Sequence, residues 1–131
     1  MTDTSALVAA LVAEHEHHEL AREHLRADGR IAAIVLAETF AQLRRTFAQP
    51  ARAATMLLGP WIGDPDRVLP TSRAAVTATF ARAAELNLGG SIHDALIAQV
   101  CGEHHVALVT LDSRQHQLAL AIGTTSTYLL A

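Results

Sequence analysis

Four carboxylates stand in stretches of the chain that are otherwise apolar or built from small residues. They are Asp3, Glu38, Asp94 and Asp112. A buried carboxylate without a partner is energetically costly, so a fold that gathers these four needs a counter-charge. A divalent cation supplies that charge, relieves the repulsion that raises carboxylate pKa values, and permits metal-assisted hydrolysis. Donor sets made only of oxygen suit Mg²⁺ or Mn²⁺ rather than Zn²⁺.

Each carboxylate also has a purely structural interpretation. Asp3 and Asp112 precede predicted helices, where an Asp is a common N-cap. Asp94 lies three residues after Ser91, which is the spacing of a capping box with Asp in place of Glu. Glu38 lies beside an apolar stripe, from which a surface Glu can extend to solvent. Whether the four form one site therefore depends on the elements that carry them.

Hydrophobic periodicity predicts helices that alternate with short strands along the whole chain. The predicted strands cover residues 1–3, 30–33, 67–69, 106–111 and 127–130. The predicted helices cover residues 4–13, 16–27, a segment through Glu38 that ends at 47, then 51–58, 73–87, 91–104 and 113–122. Residues 59–66, rich in Gly and Pro, are predicted as a turn. This alternation predicts one α/β domain over residues 1–131, with a mainly parallel central sheet.

The predicted topology brings the carboxylates to one edge of that sheet. Ligands of open α/β sheets bind beyond the carboxyl ends of the strands, and both Asp3 and Asp112 follow a predicted strand. Glu38 and Asp94 lie in the first halves of helices that return to the same edge. Neighbouring strands are about 4.8 Å apart, so side chains at their ends can reach one cation. We therefore expect a single four-acid site.

Composition excludes several other classes of protein. The net charge of −3 argues against a protein that coats nucleic acid through bulk positive charge. All ten basic residues are Arg, so the Lys required by P-loop and receiver-like phosphoacceptor sites is missing. Cys101 is the only cysteine, which excludes a disulfide framework. The apolar run Ala6–Ala13 lacks a basic leader and is far shorter than the ~20 residues of a membrane span. We expect a cytoplasmic protein.

Four motifs together resemble a known family. They are D-T-S-A-L-V-A-A-L at residues 3–11, A-E-T-F-A-Q-L-R-R at 37–45, I-H-D-A-L-I-A at 92–98 and L-V-T-L-D-S-R at 108–114. In order and spacing they resemble the PIN-domain ribonucleases, and specifically the VapC toxins of bacterial toxin–antitoxin modules, over essentially the whole chain. The resemblance implies a three-layer α/β/α sandwich with a doubly wound sheet. It also implies an Mg²⁺- or Mn²⁺-dependent endoribonuclease that leaves a 3′-hydroxyl and a 5′-phosphate.

The resemblance further implies roles for individual residues and partners. Asp3 and Asp94 would be the primary metal ligands, with Glu38 and Asp112 completing the cluster. Second-sphere hydrogen bonds would come from Thr4, Ser5 and Thr110. The implied partners are an RNA substrate, a second copy in a homodimer, and a cognate VapB antitoxin that covers the site in a hetero-oligomer.

Three arginines are predicted to contact RNA phosphates or the antitoxin, namely Arg44, Arg45 and Arg114. Ordinary surface ion pairs are an equally open interpretation of all three. The His-rich segment 15–24 is interpreted as a solvated helix face rather than as a metal site.

Two alternatives to the ribonuclease stay open. Only Met1 and Thr2 precede Asp3, whereas the family usually has several apolar residues there. A shortened first strand favours a catalytically weak PIN-like module that binds RNA or protein. The other alternative is a metal-dependent phosphohydrolase that acts on small substrates.

Overall fold

The computed structural model describes residues 1–131 and contains four short strands and eight helices. The strands are Ile31–Ala32 (β1), Val68–Leu69 (β2), Leu108–Thr110 (β3) and Ser126–Tyr128 (β4). The helices are Thr4–Leu11 (α1), His18–Ala27 (α2), Ala33–Arg45 (α3), Ala51–Leu57 (α4), Gly59–Ile62 (α5), Arg73–Leu86 (α6), Ile92–Glu103 (α7) and Ser113–Ile122 (α8). The predicted α/β class is confirmed, whereas the strand predicted over residues 1–3 is present only as an isolated bridge at Thr2.

All strand pairing is parallel. β1 pairs with β2, and β3 pairs with β4. Thr2 joins the two pairs, because it forms a parallel bridge with Val109 and its N–H donates to the carbonyl of Arg30 at 3.0 Å. The spatial order is therefore β2, β1, the Thr2 segment, β3 and β4. From the central Thr2 segment, the sheet is extended first on one side by β1 and β2, and then on the other side by β3 and β4. The point where the strand order reverses therefore lies next to Asp3.

The helices form two groups that pack on this sheet. α1 contacts α2, α3 and β3, while α7 contacts α6, α8 and β1. The main core is built from aliphatic side chains and includes Leu7, Ile31, Val35, Ile97 and Leu108, each at most 1% exposed. Such close packing fixes the register of the short strands, since two or three ladder pairs alone would hold them weakly.

The turn predicted over residues 59–66 is wrong. Gly59–Ile62 forms the one-turn helix α5, and Pro65–Arg67 forms a turn of 3₁₀-helix. A proline in the first turn of a helix lacks only an N–H that would be unpaired there anyway, so Pro60 is compatible with α5. Trp61 then packs into the core at 3% exposure and donates its indole N–H to the Gly29 carbonyl at 2.7 Å. No helix combines the length and apolar character needed to cross a membrane.

Candidate functional site

Asp3 lies at the reversal of strand order and is almost fully buried, with 4% of its surface exposed. It is the N-cap of α1, and its Oδ1 accepts a hydrogen bond from the Ala6 N–H at 2.9 Å. Burial raises the pKa of Asp3 to about 6, even though its hydrogen bonds act in the opposite direction. The carboxylate is therefore well anchored but electrostatically unfavourable when it is ionised.

Two hydroxyls connect Asp3 to the segment that follows β3. Thr110 Oγ1 donates to Asp3 Oδ2 at 2.5 Å and accepts from the Asp112 N–H at 2.9 Å. Ser5 Oγ donates to Asp3 Oδ1 at 2.8 Å and accepts from the Leu111 N–H at 3.0 Å. Each hydroxyl thus uses its proton on the carboxylate and its lone pair on the backbone, which fixes Asp3 relative to the start of α8.

Asp112 is exposed and is the N-cap of α8. Its Oδ1 accepts from the Arg114 N–H at 2.8 Å. The structure therefore confirms that Asp3 and Asp112 are helix N-caps. A capping role does not prevent either carboxylate from belonging to a functional site. The cap uses only Oδ1 of Asp112, and the residue also lines a cavity of about 490 Å³.

Glu38 lies on α3 and extends to the same edge of the sheet. The Thr4 hydroxyl donates to Glu38 Oε1 at 2.7 Å, so α1 orients this side chain. His93 Nδ1 lies 4.0 Å from Glu38 Oε2. One oxygen of Glu38 is thus held by a hydrogen bond, and the other faces an exposed imidazole.

Asp94 lies in the first turn of α7 and is half-buried. Its pKa is raised to about 6, first by burial. The negative charges of Glu38 and Asp112 also raise it, and Asp94 in turn raises the pKa of Asp3. Carboxylates from four separate elements therefore act on one another electrostatically, which isolated helix caps do not require.

Gln115, on α8, forms a hydrogen bond with Asp94 that the sequence analysis did not predict. It is 2% exposed, and its Nε2 donates to the backbone carbonyl of Asp94 at 3.1 Å, while its Oε1 is buried without a partner. Helical periodicity contained the clue, since Gln115, Ala119 and Ile122 form the buried face of α8. A polar residue on such a face requires a partner inside the protein.

The donor chemistry of the cluster fits a hydrated magnesium ion. Four carboxylates supply only oxygen, and their mutual repulsion would be relieved by a cation. No group of three or more Asp, Glu, His or Cys side chains is arranged to hold an ion directly. Mg²⁺ usually keeps several waters and takes only one or two carboxylates directly, so the donor chemistry does not require all four acids to touch the ion. Direct ligation by Asp3 and Asp94, and completion of the cluster by Glu38 and Asp112, stay predictions.

The three candidate arginines differ in position. Arg114 lines a cavity of about 490 Å³ together with Asp94 and Asp112. Arg45 lines a second cavity, of about 380 Å³, together with Glu38 and His93.

Arg44 is directed away from the carboxylates. Its Nη1 donates to the Gln49 carbonyl at 3.1 Å, beyond the end of α3. The structure therefore brings Arg114 and Arg45 to the cluster and leaves Arg44 outside it.

A comparison with protein families identifies this arrangement. The PIN-domain family model matches residues 1–120, a span that contains all four carboxylates and ends within α8. No curated protein matches the chain at a significant level. The resemblance to PIN domains is thereby confirmed, whereas membership of the VapC subfamily stays a prediction.

Proposed function

Because this chain belongs to the PIN-domain family, we propose that it is a metal-dependent endoribonuclease and the toxin of a type II toxin–antitoxin module. PIN domains are generally nucleases that bind RNA and use divalent metal ions. The finer assignment to a VapC-type toxin, with Mg²⁺ or Mn²⁺ as cofactor, is supported by the four sequence motifs and by the geometry of the acids.

One observation carries the proposal, namely the electrostatic coupling of Asp94. Burial is the main cause of its raised pKa, and the negative charges of Glu38 and Asp112, which lie on other elements, raise it further. A protein that needed only helix caps would gain nothing from placing three carboxylates close enough to repel one another. A site that binds a cation and a phosphodiester does require several carboxylates close together.

The side chains have distinct tasks in the proposed reaction. A bound divalent cation would offset the carboxylate charge and favour ionisation of a water nucleophile. Asp3 and Asp94 would hold the cation, with Asp3 kept in place by the hydrogen bond from Thr110. Glu38 Oε2, which accepts no hydrogen bond from Thr4, is available to accept a proton from water.

Arg114 serves the substrate rather than the cation. It borders the cavity between Asp94 and Asp112, where its guanidinium can pair with a phosphate of the RNA. An arginine beside an acidic site also offsets the repulsion between the carboxylates and the RNA backbone. Arg45, which lines the cavity of about 380 Å³ together with Glu38, can contact a neighbouring phosphate.

The decisive experiment is RNA cleavage by the purified protein. We expect cleavage of structured RNA in Mg²⁺ or Mn²⁺, and we expect EDTA and Asp94→Asn to abolish it. Asp66→Asn, at an exposed carboxylate outside the site, is the matched control and should retain activity. Cleavage that persists in EDTA or in Asp94→Asn would rule out the mechanism.

The toxin role and the antitoxin partner need a separate experiment. Expression of the chain should arrest growth of a bacterial host, and Asp94→Asn should not. Co-expression of a small protein encoded beside it should restore growth and copurify as a hetero-oligomer. Normal growth on expression of the active nuclease would remove the toxin assignment and leave the nuclease assignment intact.

The second candidate function is a PIN-like module that binds RNA or protein without efficient turnover. The observation in its favour is that the segment directly before Asp3 joins the sheet through a single bridge, between Thr2 and Val109. RNA binding without cleavage in any divalent metal would favour this module over the nuclease.

A further inference from the structure

We propose that a cavity beside Asp3 binds one nucleobase of the RNA and so selects the sequence at the cut. The inference rests on the proposed ribonuclease function and names a recognition site for its substrate. The cavity, termed the base pocket here, has a volume of about 350 Å³ and lies between α1, the α1–α2 turn and the end of α3. Small organic ligands usually occupy cavities of about 300–1,000 Å³, so its size suits one base.

The base pocket adjoins the carboxylate cluster at two points. Ser5, which donates to both oxygens of Asp3 at 2.8 and 3.0 Å, is part of its lining. Gln42 also lines it and lies one helical turn after Glu38 on α3, so the two side chains share a face. A nucleotide next to the scissile phosphate can therefore place its base in this pocket.

The walls offer flat and apolar surfaces of the kind on which bases stack. Phe47 and Leu111 contribute apolar surface. The imidazoles of His15 and His17 add planar faces, with ring centroids 5.8 Å apart. Proteins that read single-stranded RNA stack unpaired bases on aromatic and His side chains.

The polar groups of the pocket suit the edge of a base and not a phosphate. No arginine lines it, and Glu16 contributes a carboxylate that would repel an anion. Gln42 is half-buried and offers an amide that can both donate and accept. His15 Nδ1 accepts from the His17 N–H at 3.1 Å, which leaves Nε2 of the neutral ring as a donor. A neutral ligand with donors and acceptors on one edge matches these groups.

The base pocket can be tested by cleaving a randomised pool of single-stranded RNA and sequencing the ends. We expect the wild-type protein to prefer particular bases at one position beside the cut. His17→Ala and Gln42→Ala should each reduce that preference about tenfold, since stacking and edge contacts of one base contribute on this scale. His24→Ala, which removes an imidazole of α2 outside the pocket, should leave the preference unchanged.

A second measurement removes the base instead of the side chain. An RNA with an abasic nucleotide at the preferred position should be cleaved by the wild type with kcat/KM reduced about tenfold. Gln42→Ala should show a smaller further loss on that RNA, because the contact is already absent. Thermal unfolding of each variant separates this effect from misfolding.

The outcomes distinguish the base pocket from the nuclease function. Cleavage by the wild type without a base preference, or with a preference that both variants retain, would overturn the base pocket and leave the nuclease intact. If the variants retain the preference and lose only inhibition by an antitoxin protein, the pocket binds protein and the inference is wrong. Absence of cleavage of every RNA by the wild type would overturn the nuclease function and the inference together.

Discussion

Replacing Asp3 with Asn should stabilise the metal-free protein at neutral pH. The pKa of Asp3 rises from 3.8 to about 6 on folding, because burial removes water from the carboxylate. A shift of about two units corresponds to about 3 kcal/mol of unfolding free energy. Asn keeps the shape of the side chain without the charge, but its amide must be accommodated by the Ser5 and Thr110 hydroxyls. With about 1 kcal/mol lost in that rearrangement, we expect a net gain of about 2 kcal/mol.

The sign of the pH dependence follows from the direction of the shift. The folded pKa of Asp3 lies above the unfolded value, so the folded state favours the protonated carboxyl. The contribution of this protonation to stability is fully present below about pH 4. It is lost as the pH rises through about 6. The wild type in EDTA should therefore lose stability relative to Asp3→Asn between these values. Asp28 has its pKa lowered by Arg30, so it affects stability only in more acid solution.

Urea denaturation in EDTA at pH 4, 6 and 8 provides the assay, with Asp66→Asn as the control for removing a carboxylate. Added Mg²⁺ should reverse the order of stability, because a cation that binds only the folded wild type stabilises it. If Asp3→Asn is less stable than the wild type in EDTA at pH 8, the carboxylate is not a source of electrostatic cost and the reasoning fails. Equal responses of both proteins to Mg²⁺ would contradict its role as a ligand.

Three further predictions concern groups around the site. Gln115→Ala should lower kcat by displacing Asp94 and cost about 1–2 kcal/mol of stability, as measured by RNA cleavage and urea denaturation. Thr110→Val, which removes the hydroxyl that donates to Asp3, should weaken Mn²⁺ binding about 10- to 100-fold by calorimetry, whereas Thr110→Ser should retain it. Cys101, whose pKa is raised to about 12 by burial, should not react with iodoacetamide at pH 8 until the protein unfolds.

Sequence periodicity was sufficient to predict the elements that have strong local preferences. The helix predicted over residues 113–122 is α8 as observed, because Asp112 caps its start and Gly123 ends it in a left-handed conformation. The segment 59–66 was mispredicted because Gly and Pro interrupt most helices, yet both fit the ends of a single turn. Residue preferences within the segment predict its conformation poorly, because the burial of Trp61 in the core determines it.

The electrostatic coupling of the four acids agrees with their predicted placement at one edge of the sheet, and their role as a metal site stays a prediction. The residues that support them were harder to predict. The placement of the acids at one edge follows from topology, because Asp3 comes directly after the parallel bridge at Thr2 and Asp112 comes shortly after β3. The hydrogen bond from Gln115 to the Asp94 carbonyl depends on how α8 is rotated against α7. Such rotations are set by side-chain packing between helices, which sequence periodicity constrains only to a face.

The caps at Asp3 and Asp112 shape how this protein can lose activity and remain folded. Each acid also begins a helix, so its replacement by Ala removes both a charge and a cap that contributes about 1 kcal/mol. Asn or Ser keeps the cap and deletes the charge. A screen for soluble variants without nuclease activity should therefore recover mainly Asn and Ser at these two positions. Asp94, which caps nothing through its side chain, should admit a wider range of replacements.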